Sequence, residues 1–221
     1  MRTAGYLVEY GPRIGFGRYK HVFCGPPPTA GALCPNCDRP LLHFLTLDTS
    51  DRRLGFRSWP SPRVPLLYCW TCNLAQGDFF YRVSATRVTI IRHKRGGAQD
   101  DFPYEDYPVT FPSSAARLVG VSAVRATAVA AANRGDDTHR PSPREREYDR
   151  PRHQIGGEPR LVQGYPARPL KCARCRRAMV LFATIADDCL DPRGFAGNGW
   201  VQVLYHRCAR CRIVGAFHQC D

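Results

Sequence analysis

A chain of 221 residues with 43% hydrophobic and 11% aromatic residues can bury a core without disulfide staples, as one large or two small domains. The amino-terminal MRTAGYLVEYGPRIGFG lacks the unbroken apolar run of a secretion signal and no stretch approaches the length of a membrane span, which sets the expectation of a reducing cytoplasm, with an exported disulfide protein as the alternative. The formal charge of +13, carried almost wholly by Arg with Lys only at Lys20, Lys94 and Lys171, favours polyanions or an acidic partner surface, although codon bias in an Arg-rich proteome accounts equally well for the choice of Arg over Lys.

In chain order, residues 1–32 hold two glycine-rich turns, GPRIGFG and CGPPPTAG, around YKHVF. They read as one short strand feeding a proline-locked turn that delivers the chain to Cys34. Leu41 to Asp48, bounded by Pro40 and a polar TSDRR stretch, is a strand, and Arg63 to Cys69 is its antiparallel partner. DFFYRVS and RVTIIRH are two further β-rich segments. Gly96 to Pro112 is acidic, aromatic and proline-punctuated, as suits a surface loop whose Asp100–Asp106 portion could fold onto basic residues elsewhere. Ser113 to Asn133 is rich in Ala, with Ser113 and Ser114 as N-cap candidates and Leu118, Val121, Val124 and Val129 on one face; it predicts a helix packed on a sheet. Arg134 to Arg152 reads as a polar linker. Strands follow at Met179–Ala186, Trp200–Arg207 and Ile213–Cys220.

Lys171 to Phe217 is laid out like Leu33 to Phe79. Cys34 and Cys37 match Cys172 and Cys175, while Arg39, Phe44 and Thr46 match Arg177, Phe182 and Thr184. Leu67-Tyr68 then aligns with Leu204-Tyr205, one residue being inserted before the second cysteine pair. The spacers from Cys37 to Cys69 and from Cys175 to Cys208 agree to within one residue. An internal duplication is therefore expected: a mostly β fold (α+β as the alternative) of two zinc-ribbon-like halves, 1–112 and 153–221, with a helix and Arg/Pro-rich linker over 113–152.

Eight of the 11 Cys stand in C-x-x-C pairs. In a reducing compartment such pairs indicate metal sooner than disulfides. A tight C-x-x-C turn aims two sulfurs at one centre, and two turns at the end of a hairpin close a tetrahedral site. Site one is assigned to Cys34, Cys37, Cys69 and Cys72, and site two to Cys172, Cys175, Cys208 and Cys211, each holding one structural Zn²⁺; pairing between copies stays open at this stage. Two tetrathiolate zinc centres would bring the folded charge to about +9. Redox chemistry and an iron–sulfur cluster are competing uses of the same thiols. Cys24, Cys189 and Cys220 are left over and read as buried small hydrophobes. His43 reads as a strand residue and His206 as a hydrogen-bond donor beside the ligands.

The two sites differ in their surroundings. Arg174, Arg176, Arg177, Arg207, Arg210 and Arg212 put a cationic rim on site two, whereas site one is flanked by Asp38, Trp70 and Asn73. The rim either offsets the negative metal centre or docks phosphate or carboxylate groups, for which Arg is suited by its bidentate fork. Trp70 is a packed aromatic or an exposed stacking platform.

The I-G-G-x-P turn at Ile155, Gly156, Gly157 and Pro159, Gln163, the Phe182-x-Thr184 strand, Gly199-Trp200 and the cysteine pairs resemble the YwqG-like family. That family is in turn similar to the programmed-cell-death-2-like proteins, chaperones of a small-subunit ribosomal protein. The resemblance covers roughly residues 153–220 and, more loosely, CPNC-x-RPL-x-HFLTLD and LLYCWTC. It implies a mostly β, duplicated, zinc-bearing fold with an interaction or chaperone-like role and no established chemistry. The strongly basic knuckles and the Arg-rich linker depart from the family pattern.

The sequence contains no H-E-x-x-H, phosphate loop or nucleophile elbow, and Asp187-Asp188 reads as a strand-ending loop, so no enzyme is expected. The function expected is that of a cytoplasmic zinc-binding protein that engages another protein, with nucleic acid bound through the Arg rim as the alternative.

Overall fold

The computed structural model describes residues 5–69, 79–93, 110–135, 148, 150–186 and 201–220. Strands β1 (Tyr6–Tyr10), β2 (His21–Phe23), β3 (Leu42–Asp48), β4 (Arg63–Tyr68), β5 (Phe79–Val83) and β6 (Val88–Arg92) are followed by β7 (Ser114–Gly120), helix α1 (Ala123–Asn133), β8 (Gln154–Ile155), β9 (Val180–Ala186), β10 (Val201–Cys208) and β11 (Ile213–Cys220). The fold is mostly β, as expected. All eleven strands join one sheet in the order β4-β3-β2-β7-β1-β8-β9-β10-β11-β5-β6, and every pairing is antiparallel. No helix among the described residues is long and apolar enough to cross a membrane.

The expected hairpins are present. β3 pairs with β4 from Leu42↔Tyr68 to Asp48↔Arg63, and β9 with β10 from Val180↔Arg207 to Ala186↔Gln202. Both carry an irregularity one turn of pleat from the cysteines: the register skips Phe44 in the first and Phe182 in the second. A bulge re-aims the strand and strengthens its twist. Because Leu42 faces Tyr68 as Val180 faces Arg207, Tyr68 corresponds to Arg207 and Cys69 to Cys208. The extra residue of the later hairpin therefore lies in its connection, away from the cysteines, and not beside them as the sequence alignment has it.

Two expectations need correction. The segment 113–133 is not one helix: its first third is strand β7, and α1 starts at Ala123 with Ser122, not Ser113 or Ser114, accepting the backbone N–H of Arg125 as N-cap. The propensity of SAARLVG is overridden because β1 on one side and β2 on the other both offer unpaired backbone groups. Within β7 burial alternates, with Ala116 and Leu118 inside and Arg117 and Val119 outside, the two-residue period of a strand. Val124, assigned to the packed helix face, is 58% exposed, and the buried face is Arg125, Ala128, Val129, Ala130 and Ala131. Residues 1–32 contain two strands instead of one, β1 being the addition, and β8 is likewise new.

The core is continuous from Val8 and Phe23 through Phe44, Leu66 and Tyr68 to Ile185, Val203 and Tyr205. A second, smaller cluster gathers Phe80, Met179 and Ile213 around Cys172 and Cys208. At the β4 margin of the sheet, the Tyr81 hydroxyl accepts the Leu67 N–H at 3.1 Å and donates to the Pro65 carbonyl at 2.9 Å. A side chain from β5 thus satisfies backbone groups that a margin strand would otherwise bury unpaired. Burial pushes the Tyr81 phenol far above its ordinary range, against the Leu67 N–H, which acts to lower it.

Tyr81→Phe leaves both backbone groups without a partner in the core. It is expected to destabilise the protein by about 1–3 kcal/mol, read as a lower midpoint of urea unfolding; an unchanged midpoint would show that the hydroxyl caps nothing of consequence.

Candidate metal centres

The three fully described C-x-x-C arms share one local geometry. The Cys34 N–H donates to Arg39 O at 2.8 Å and the Cys172 N–H to Arg177 O at 2.9 Å; Asp38 N–H returns to Cys34 O at 2.9 Å and Arg176 N–H to Cys172 O at 3.0 Å. Leu41 bonds back to Ala32, and Met179 to Leu170, both at 2.8 Å. In the arm at Cys208 the Arg212 N–H donates to Cys208 O at 2.8 Å. Four residues after the first cysteine of each arm the chain turns left-handed, at Asp38 (φ 56°), Arg176 (φ 60°) and Arg212 (φ 56°). That conformation costs a non-glycine residue roughly 1 kcal/mol; here the flanking hydrogen bonds hold it. The turn leaves backbone N–H groups facing sulfur: Asn36 to Cys34 Sγ and Cys211 to Cys208 Sγ, each at 3.4 Å.

The hairpins bring these arms together within each half. Cys172, Cys175, Cys208 and Cys211 have their sulfurs within 4.8 Å of one another, and so do Cys34, Cys37 and Cys69. Cys72, the fourth residue assigned to site one, lies outside the described residues, as do Trp70, Asn73, Cys189, Asp187-Asp188, Gly199-Trp200 and the Asp100–Asp106 loop. The Cys175–Cys208 and Cys37–Cys69 sulfurs are 3.7 and 3.9 Å apart, nearly twice a disulfide bond of about 2.05 Å. Tetrahedral thiolate coordination with bonds of about 2.3 Å requires an edge of about 3.8 Å. The sulfur geometry therefore fits a metal ion in each group, and the cysteine pairs close within a half instead of between halves.

Electrostatics point the same way. Hydrogen bonding from Cys69 holds the Cys34 thiol down at about 5 against the burial that opposes it. The Arg177 backbone N–H lowers Cys175 to about 7. Burial, reinforced by the neighbouring sulfurs, raises Cys208 and Cys211. Thiols this close cannot all ionise unless a cation sits between them.

Of the rim arginines, Arg174, Arg176, Arg177, Arg210 and Arg212 are exposed. Arg207 is different: it is half-buried, and its guanidinium donates to Leu54 O and lies over the rings of Phe56 (4.9 Å) and Phe182 (5.8 Å). His43 is a buried strand residue whose Nδ1 donates to Gly25 O at 3.1 Å while Thr46 Oγ1 donates to its Nε2 at 2.7 Å; burial holds it at about 4. Among the described residues His206 bonds no cysteine. Its ring stacks on Phe217 at 5.4 Å, and its buried Nδ1 has no hydrogen-bond partner. Cys24 is buried.

A second correspondence was missed in the sequence. HVFCGPP (His21–Pro27) and HQIGGEP (His153–Pro159) play one role. His21 Nδ1 accepts the N–H of Asp48, and His153 Nδ1 that of Ala186, both at 3.1 Å. The Cys24 N–H bonds Phe44 O at 2.9 Å, and the Gly156 N–H bonds Phe182 O at 2.7 Å. Left-handed pairs follow at Cys24-Gly25 (φ 57° and 90°) and Gly156-Gly157 (φ 66° and 63°). Gly25 presses on Ser113 and Gly157 on Gly5, where an added Cβ would come within 2.8 and 2.7 Å of their atoms. Only His, Gly and Pro are shared, so the available signal was their spacing alone. The later turn runs on into a segment held by two glutamines: Gln202 and Gln219 accept from the backbone N–H groups of Val162 and Gln163 and donate to Arg160 O and Gly164 O.

Cys175→Ser is expected to remove one equivalent of metal per chain and to lower the melting temperature, while site one keeps its ion. Elemental analysis of wild type and variant side by side checks this; an unchanged metal content would dissolve the four-sulfur site.

No known family model matches the chain, and no curated protein matches it.

Proposed function

We propose that the chain is a non-enzymatic, cytoplasmic zinc protein that works as a protein-interaction or chaperone-like module, with both metals structural. The observation that carries this reading is the closure of site two by four thiols from two knuckles. Among the described residues no His or carboxylate joins either cysteine group. A catalytic zinc keeps a position open for water or substrate beside three protein ligands; four thiolates leave none. In site one the described ligands are Cys34, Cys37 and Cys69, and the C-x-x-C spacing of the sequence makes Cys72 the candidate for the fourth. The all-sulfur tetrahedral donor set favours zinc over magnesium, calcium or manganese.

We also read the chain as an internal duplication of a zinc-ribbon-like unit. Supporting this are the matched knuckles, the shared bulge at Phe44 and Phe182, and the matched His-Gly-Pro turns. β1 pairs with β7 about a centre that exchanges β2 with β8 and β3 with β9, since Phe23↔Ser114 in one half stands where Ile155↔Tyr6 stands in the other. On this reading the later unit begins at β7, earlier than the 153–221 boundary suggests, and α1 with the 134–152 stretch is an insertion within it. The resemblance to YwqG-like and programmed-cell-death-2-like proteins is consistent with this plan and with a client-binding role.

Nucleic-acid binding is the second reading, favoured by the five exposed arginines around site two. Elemental analysis tests the metal assignment, two zinc per chain being expected and iron overturning it. Affinity capture from the source lysate at several salt concentrations tests the interaction, with a stoichiometric protein expected throughout. Return of nucleic acid alone, with affinity falling steeply as salt rises and lost on changing Arg174, Arg176, Arg210 and Arg212 to Ala, would replace the first reading with the second.

A further inference from the structure

A cleft is walled by Tyr6 of β1, Arg53 and Leu54, Gly156 after β8, Phe182 of β9 and Arg207 of β10. Its free volume is about 30 Å³, room for one or two waters or one small polar group and far too little for a cofactor or drug-sized ligand. Two guanidinium groups reach it, and they are not alike. Arg53 is neutralised: it grips the buried Asp51 carboxylate through Nε at 2.9 and 3.1 Å and through Nη2 at 2.7 Å, while its carbon lies over Tyr6 (4.8 Å) and Tyr19 (5.4 Å). Asp51 is also shared with His21 at 3.2 Å. Arg207 has no described carboxylate partner. Its fork makes one hydrogen bond, to Leu54 O, and is otherwise bounded by Phe56 and Phe182 and by the cleft.

A half-buried cation without a counter-ion is costly, and contact with aromatic faces returns only part of the lost hydration. The remaining N–H groups of a planar fork match the two oxygens of a carboxylate. The rim beside them includes Val180, 60% exposed, which offers an apolar contact to whatever carries the anion. We infer that this cleft is a binding subsite for a single carboxylate, presented by an acidic side chain or a carboxyl terminus of a protein partner, with Arg207 as its anchor. The source of the carboxylate rests on the protein-interaction reading above; the site itself does not.

Only the later hairpin supplies such an arginine. At the position of Arg207 the earlier hairpin has Tyr68, buried and hydrogen-bonded to His218 Nδ1 at 2.8 Å. Arg207 is also the residue before Cys208, and β9 leaves the opposite knuckle toward Phe182, so the metal centre fixes both walls.

The test is a titration of the zinc-loaded, isotope-labelled full chain, followed by nuclear magnetic resonance at the Arg207 Nε–H and the Gly156 amide. The probes are N-acetyl-glutamate N-methylamide, its glutamine counterpart and inorganic phosphate. Saturable shifts of both signals with the glutamate compound, absent with the glutamine compound and weaker with phosphate, are expected. Arg207→Met, which keeps an unbranched chain against the two rings, should weaken binding about tenfold or more, and Arg207→Lys by less; the amide spectrum of each variant reports that it is folded. Shifts confined to the exposed arginines, equal response to phosphate, or unchanged affinity in folded Arg207→Met would overturn the proposal. A partner captured from lysate whose binding survives Arg207→Met would leave the interaction reading standing and remove this subsite.

Discussion

The constraint on which this structure turns is the crowding of thiols at the ends of two hairpins. Four sulfurs within 4.8 Å cannot all ionise in a partly buried space without a cation, and a metal held there would convert that repulsion into a tether between the two knuckles. The tether acts on β9 and β10 at the same ends where their register is set. The bulge that skips Phe182 falls just beyond it. A one-residue slip would reverse the faces of β10 and carry Cys208 away from Cys175. The cysteine cluster, strand register and the placing of core residues such as Val203 and Tyr205 thus depend on one another.

The sheet extends that arrangement across the whole chain. β1 and β7, each too short to persist alone, pair over five positions from Tyr6↔Gly120 to Tyr10↔Ala116 and join the strands next to the two hairpins. On the far side β11 pairs with β5 from Ile213↔Arg82 to Ala216↔Phe79, so residues early and late in the sequence alternate along one sheet. The core gains from this: Phe56, which follows the first hairpin's strand β3, packs edge-on against Phe182 at 5.5 Å, a contact no isolated ribbon would make.

The parts of this molecule legible in the sequence are those fixed by local chemistry. Cysteine spacing declared the knuckles, and β-rich runs bounded by turn residues declared β3, β4, β5, β6, β9, β10 and β11. What escaped depends on partners distant in the chain. β1 and β8 are short segments that become strands only because each finds the other and its further neighbour. SAARLVG has the composition of a helix and becomes β7 because two strands wait beside it. The likeness of HVFCGPP to HQIGGEP resides in left-handed dihedrals and a histidine accepting a backbone N–H, which different residues can supply. Arg207 looked like one rim arginine among six because it touches Cys208 in sequence; its environment is set by Phe56 and Leu54, about 150 positions earlier.

That last difference bears on how two similar hairpins come to do different work. The described knuckles meet the same backbone demands, so neither half can change its cysteines or its left-handed turn without losing the geometry that could hold a metal. The position before the third cysteine is free of those demands, because its contacts lie with the sheet and not with the sulfurs. In the earlier hairpin it is Tyr68, whose hydroxyl is satisfied by His218, and the result is sealed core. In the later one it is Arg207, whose charge no described carboxylate meets, and the result is a cleft with a demand for an anion. A single side-chain choice, made where the metal site fixes the backbone but does not dictate the residue, separates a structural hairpin from one with chemistry left to offer.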